Sequence, residues 1–276
     1  MASGLLLGLF VVYQLWGTGL RESREQAALS EQLETVLSSP SSSVAPARGA
    51  AVSRIAIPSL GVDKVLVGGV DAESLMKGPG LFPNSPLPGQ LGNVAVAGHR
   101  TTYGAPFEDL DKIVVGDTIT FATPRGTAEY RVTKEPYNVF PSAVEVVETK
   151  DPTKATLTLV TCTPKWTAWK RLIVEAELVT KGQIEQGQTT VAAPEPATPF
   201  VDDELVAFDE GWFHDTSVIP AVATLGALLV AIWTAGWWIV RRTGRKLLVW
   251  PPTGAVFLVV LFFFFENLTG LLPTNL

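Results

Sequence analysis

The chain has 276 residues, of which 47% are hydrophobic and 17% charged, with a formal net charge of −6. So apolar a balance argues against a wholly soluble protein. The acidic charge, with no basic block in the polar middle of the chain, argues against a nucleic-acid binder. A single cysteine excludes an intrachain disulfide, so the fold must rest on its own core.

Residues 4–20, GLLLGLFVVYQLWGTGL, are uncharged and end at Arg21. That length lies near the lower limit for crossing a bilayer. A signal peptide is the competing reading, but it lacks a basic leader and a small-residue cleavage site. Residues 1–20 are therefore expected to form an N-terminal transmembrane anchor, and whether Met1 is the true start stays open. Residues 21–52 are polar and then rich in Ser, Pro and Ala (SSPSSSVAPARGA), a composition expected of a disordered stalk. From Ser53 the chain changes to short alternating runs split by Gly and Pro, among them RIAIPSLGVDKVLVGGV, GNVAVAGH, DTITFAT, ATLTLVTC and RLIVEAELV. These predict an all-β barrel or sandwich over residues 53–181. Only DAESLMKG reads as a short helix, with Asp71 as its N-cap.

Residues 182–217 read as a linker. Residues 218–240 and 247–266 read as two transmembrane helices, with Pro251 and Pro252 expected to kink or delay the second. Between them, residues 241–246 (RRTGRK) hold four basic residues in six. The positive-inside rule assigns this loop to the cytoplasm and the β domain to the outside, giving a multi-pass protein of the cell membrane with the lipid bilayer as a partner. Arg21 and Arg24 lie on the outer side of the first span and oppose this orientation, but the RRTGRK cluster is denser.

The inventory of reactive side chains is short. His214, in EGWFHDTSV just before the second span, reads as an interfacial residue beside Trp212 and Phe213. His99 and Cys162 each end a strand-like run, where a sheet hands over to a loop and function often resides. A thiol titrating near about 8.5 needs help to act at neutral pH, and a neighbouring cation or imidazole can give it. Arg171 follows Cys162 by nine residues, at the start of the next strand, and would return beside it if the two strands pair. Residue type alone leaves two readings of Cys162 open, an inert buried thiol or a nucleophile.

The segment TLVTC, with Arg171 following in RLIV, and the segment GNVAVAGHR around His99 together resemble the active-site signature of the sortases, membrane-anchored cysteine transpeptidases of Gram-positive bacteria. The resemblance runs over residues 53–180 and includes IAIPSLGVDKVLVGG upstream. AGHRTTYGAPF and KRLIV are similar to class E, the housekeeping type of many actinobacteria. TCTP is closer to the pilus-building class C, but that class continues with Tyr-Gly where this chain has Lys165-Trp166, and its lid motif is missing from residues 21–52. Class E is the expectation. A class C-like pilin polymerase and an inactive sortase-like membrane scaffold are the alternatives.

The resemblance implies a closed sortase-type β-barrel of about eight strands with flanking transmembrane helices. It also implies that Cys162 attacks the Thr–Gly carbonyl of an LPXTG or LAXTG sorting signal on secreted proteins. His99 then protonates the departing amine, Arg171 holds substrate and oxyanion, and a peptidoglycan precursor amine resolves the thioacyl-enzyme. No cofactor is expected. Thr161, beside the nucleophile, either assists it or only favours a strand. Tyr103 lines the signal pocket or packs its loop. Trp166, with Trp169, shields the thioester from water or touches membrane or barrel wall. Glu108, Asp109 and Asp111 are expected to be solvated rather than to bind a metal.

Overall fold

A computed structural model describes residues 2–38, 47–123, 126–179 and 216–271. The chain forms two units, one of residues 17–209 built around a sheet and one of residues 1–16 with 210–274 built from helices. The helices are α1 (Ala2–Val12), α2 (Thr18–Ser38), α3 (Ala72–Lys77), α4 (Ile219–Thr243) and α5 (Lys246–Thr269). The strands are β1 (Ala51–Ile57), β2 (Val62–Gly68), β3 (Gly80–Leu81), β4 (Gly92–Ala97), β5 (Thr118–Thr123), β6 (Gly126–Val132), β7 (Tyr137–Val139), β8 (Ala155–Thr163) and β9 (Lys170–Leu178).

The strands run in the order β6-β5-β1-β2-β3-β4-β8-β9, and β9 pairs back onto β6 through Tyr130–Leu178, Arg131–Glu177 and Val132–Ala176. Eight strands thus close a barrel, which leaves no open edge within the ring. Strand β7 attaches to β9 as a ninth, outside the ring. The expected barrel is the observed one.

Alternation along each strand sends every second side chain inward. The interior is filled by Ile55, Ile57, Leu66, Phe121, Tyr130, Leu157, Leu159 and neighbours. A second cluster, comprising Val70, Phe82, Ala95, Ala97, Val160 and Ile173, lies on the opposite face of β4, β8 and β9. Those strands are therefore buried on both sides, which is why GNVAVA and ATLTLVTCT read as nearly continuous apolar and β-branched runs. Helix α3 starts where its cap predicts: the Asp71 carboxylate accepts the Ser74 amide at 3.0 Å.

The expected stalk is not what residues 21–38 form. They belong to α2, whose Leu29 and Leu33, with Val36 and Leu37, pack on Ala51, Val65 and Val67 of the barrel's outer wall. The spacing 29, 33, 36, 37 is that of one helix face, masked in composition by the Ser/Pro run that follows. Gln26 seals the contact: its side-chain nitrogen donates to the carbonyls of Val65 (3.0 Å) and Lys77 (2.8 Å), and its oxygen accepts the Val65 amide. The unit built around the sheet begins at Gly17, whereas the expected anchor ran to residue 20 and the expected barrel began only at residue 53. Thr18 and Glu22 are each only 1% exposed, enclosed where an anchor-to-stalk boundary was expected.

In the helical unit, α4 and α5 are both long and apolar enough to cross a membrane. Aromatic contacts knit it together: Tyr13 meets Phe262 edge-on at 5.3 Å, and Phe10 meets Phe265 at 5.1 Å. Gly236 lets Thr253 approach closely, since a Cβ there would lie 2.8 Å from the threonine methyl. The basic segment is mostly helical: Arg241 and Arg242 stay on α4 over Trp237 (4.9 Å) and Trp238 (4.0 Å), leaving only Gly244 and Arg245 between the helices. Pro251 and Pro252 do not delay α5, which starts at Lys246 and contains both. Residues 182–215 of the expected linker, His214 among them, lie outside the described residues.

Candidate active site

Strand β8 is the centre of the site. On one side it pairs in parallel with β4, Ala97 beside Val160, and on the other antiparallel with β9, Cys162 directly opposite Arg171. Residues paired across neighbouring strands share a face, so Cys162 and Arg171 lie on the same side of the sheet. Two residues beyond Ala97 and Val160 come His99 and Cys162, which extends the same register past the end of β4. The Gly98 amide still donates to Val160 at 3.1 Å. A Cβ on Gly98 would lie 2.6 Å from Phe107, a residue of the interior core, so the backbone there faces inward and His99 alternates outward. His99, Cys162 and Arg171 therefore stand in a row across three adjacent strands. They share the face of the outer apolar cluster, whose Ala97, Val160 and Ile173 precede or follow them by two residues.

The electrostatics of the row are set by burial. Cys162 is half-buried and free. Desolvation raises its thiol above the ordinary value, opposed by the guanidinium of Arg171 and then that of Arg100. His99 keeps part of its surface open, but its Nε2 is enclosed and has no hydrogen-bond partner among the described residues. Burial lowers its imidazole to about 4. At neutral pH the resting pair is thus a thiol beside a neutral imidazole. Arg171 is 4% exposed, and its Nη1 donates to the carbonyl oxygens of Ala168 (3.0 Å) and Lys170 (3.3 Å), which anchors it to the β8–β9 turn. A thiol, an imidazole and a fixed cation in this order are suited to acyl transfer through a thioester.

Sequence reasoning missed Arg100. It is 6% exposed, its Nη1 donates to the carbonyl of Cys162 at 3.3 Å, its Nε to the carbonyl of Glu108 at 3.3 Å, and its Nη2 pairs with Asp111 at 2.9 Å. It ties the His99 loop to the end of the nucleophile strand and brings a second positive charge near the thiol. Its adjacency to His99 was the only signal in the chain.

Thr161 packs inward and donates from Oγ1 to the Gly98 carbonyl at 2.7 Å, pinning β8 to the exit of β4. Tyr103 is buried, its ring centroid 5.1 Å from that of His99, so it packs the loop onto the histidine. Trp166 stands 57% exposed at the tip of the β8–β9 turn with φ 68°, and Trp169 is exposed beneath Lys170. As they stand, both indoles face solvent. Glu108, Asp109 and Asp111 are engaged by cations: Asp111 by Arg100, Asp109 by Lys112 and Lys165, Glu108 by Lys165. The bonds from Lys112 and then Lys165 hold the Asp109 carboxyl below its ordinary value. Lys165 thereby joins the turn after Cys162 to the loop after His99.

A family model described as Sortase domain matches residues 55–179. Sortase SrtE2 of Streptomyces coelicolor is 29% identical over 68% of this chain and 83% of its own length. Sortase SrtE1 of the same organism is 31% identical over 68% of this chain and 57% of its own. The structure of sortase E from Streptomyces avermitilis matches with 35% identity and a TM-score of 0.45, covering 52% of this chain and 97% of that one. The closed barrel and the domain match agree with each other: residues 55–179 of this chain form a sortase domain, and the chain is similar to the E-type sortases of Streptomyces coelicolor.

Proposed function

We propose that this protein is a membrane-anchored class E transpeptidase that cleaves LPXTG- or LAXTG-type sorting signals between Thr and Gly. It would join the released acyl group to a peptidoglycan precursor amine. The observation that carries this reading is the alignment of His99, Cys162 and Arg171 on one face of β4, β8 and β9. The Cys162 thiol gives its proton to His99 as its sulfur attacks the Thr carbonyl, and the negative charge moves to the carbonyl oxygen, where Arg171 can donate to it. The C–N bond then breaks, and His99 gives its proton to the leaving glycine amine. The incoming amine attacks the thioester, loses a proton to His99 and expels the thiolate. The outer cluster beside Cys162 supplies an apolar floor for the Leu and Pro or Ala positions of the signal.

Helices α4 and α5 serve as membrane anchors in this reading, with the N-terminal apolar run as a third. The basic residues between Arg241 and Lys246 keep that end in the cytoplasm, so the barrel works outside the cell, where surface proteins and wall precursors meet.

The test uses the full chain in detergent with LAXTG and LPXTG reporter peptides. Cleavage at Thr–Gly is expected, with transfer to an added amine. Cys162→Ala should abolish it, and retained cleavage in that variant would sink the mechanism.

A further inference from the structure

The first turns of α2 reach the loop that follows His99. Thr18 and Glu22 are one helical turn apart on one face. Thr18 Oγ1 accepts the Tyr103 amide at 3.2 Å. Gly19 comes so near that a Cβ there would lie 3.8 Å from the Gly104 amide nitrogen. The Glu22 carboxylate lies directly over Gly104, where a Cβ would be 2.4 Å from Oε2. Oε1 of Glu22 takes the Lys64 ammonium at 2.7 Å, while Oε2 is buried with no hydrogen-bond partner among the described residues. An enclosed, half-satisfied carboxylate is costly, so its place over this loop calls for a reason.

The loop itself is unusual. Tyr103, Gly104 and Ala105 are successive left-handed residues, with φ 50°, 71° and 41°. Residues bearing a Cβ disfavour that region, and such turns persist only when their surroundings hold them. The loop is closed by the Phe107 amide, which donates to the His99 carbonyl at 3.1 Å, and the Tyr103 ring rests on the imidazole. A chain of contact therefore runs from α2 through the 103–105 turn and the tyrosine ring to His99.

We infer that Thr18 and Glu22 are positioning residues for His99: α2 holds the left-handed turn, and the turn holds the imidazole where it serves as proton donor to the leaving amine. The inference rests on the acid–base role given to His99 under the proposed function. It makes α2 part of the working enzyme. A barrel fragment cut at Ala51 would retain Cys162 and Arg171 yet lose the support of its histidine.

The test is single-turnover acylation of Cys162 in the full chain, followed by mass spectrometry, with two peptides that differ at the scissile bond. One is the amide, whose leaving amine needs a proton. The other is a thioester, whose thiolate leaves without one. In Thr18→Val and in Glu22→Gln, amide acylation should fall by about tenfold or more, while thioester acylation, whose leaving group needs no proton, should fall distinctly less. Thr18→Ser should restore the amide rate. Leu33→Ala, on the same helix but against the barrel wall, should lower the melting temperature and leave both rates intact. Equal losses on both peptides, or a change in melting temperature alone, would overturn the inference and leave α2 a brace. A parent protein that acylates with neither peptide would instead overturn the transpeptidase reading itself.

Discussion

Cys162 and Arg171 stand directly opposite each other across β8 and β9, on the face that also carries His99. A cross-strand pair is separated by a distance set by the sheet rather than by flexible side chains. The cation is fixed further by the turn carbonyls of Ala168 and Lys170. Replacing Arg171 with Ala is expected to reduce peptide cleavage by about a hundredfold or more, as for loss of an oxyanion donor. Arg171→Lys should recover only part, because an ammonium lacks the planar fork. Steady-state cleavage of a reporter peptide by the full chain checks both, and full activity in either variant would remove Arg171 from the site.

Arg100 makes a different prediction, since it bonds the Cys162 carbonyl and its charge favours the thiolate. Removing that charge in Arg100→Met should push the thiol further up. Labelling of Cys162 by a methanethiosulfonate reagent at neutral pH should slow by about tenfold and converge with the parent rate in strong base. Arg100→Lys should lie between them. An identical labelling profile in Arg100→Met would show that the guanidinium acts only as a strut.

Stability should depend on His99 with a definite sign. Its folded imidazole titrates at about 4, below the ordinary 6.5. The unfolded chain therefore binds a proton in that interval that the folded chain refuses. The contribution of His99 is complete above pH 6.5 and is lost as pH falls toward 4. The raised thiol of Cys162 acts at the other end, its contribution lost as pH rises through the alkaline range. Urea midpoints across the acid interval should fall for the parent and flatten in His99→Gln. An unaltered slope in that variant would place the acid sensitivity elsewhere.

Helix α2 should be worth measurable stability. Leu33 is 2% exposed between α2 and the wall formed by Ala51, Val65 and Val67. Leu33→Ala is expected to cost about 2–5 kcal/mol, read by denaturant unfolding. A loss within experimental error would mean that the helix is not seated on the barrel in solution.

Much of the fold was legible because its signals are local. Alternating β-branched runs marked β1, β4, β5, β8 and β9, Asp71 marked the start of α3, and the apolar stretches that became α4 and α5 stood out by length. Helix α2 was missed because its apolar face is narrow, four residues among charged ones, and counts only against a surface that accepts it. Arg100 was missed for a related reason: nothing in its neighbours along the chain tells that the end of β8 lies beside it.

The sequence by itself determined the reactive inventory: one thiol, a histidine and an arginine at the ends of three strand-like runs, in an order and spacing similar to the sortases. Those are properties of composition and near-neighbour pattern, which the chain carries before it folds. The tertiary structure alone decided that the three share a face, that burial leaves Cys162 a thiol and His99 neutral, and that Arg100 and α2 close around them. These follow from register and desolvation. Both are set by which distant segments come together, and residues 62 or more positions apart become neighbours only when the barrel closes.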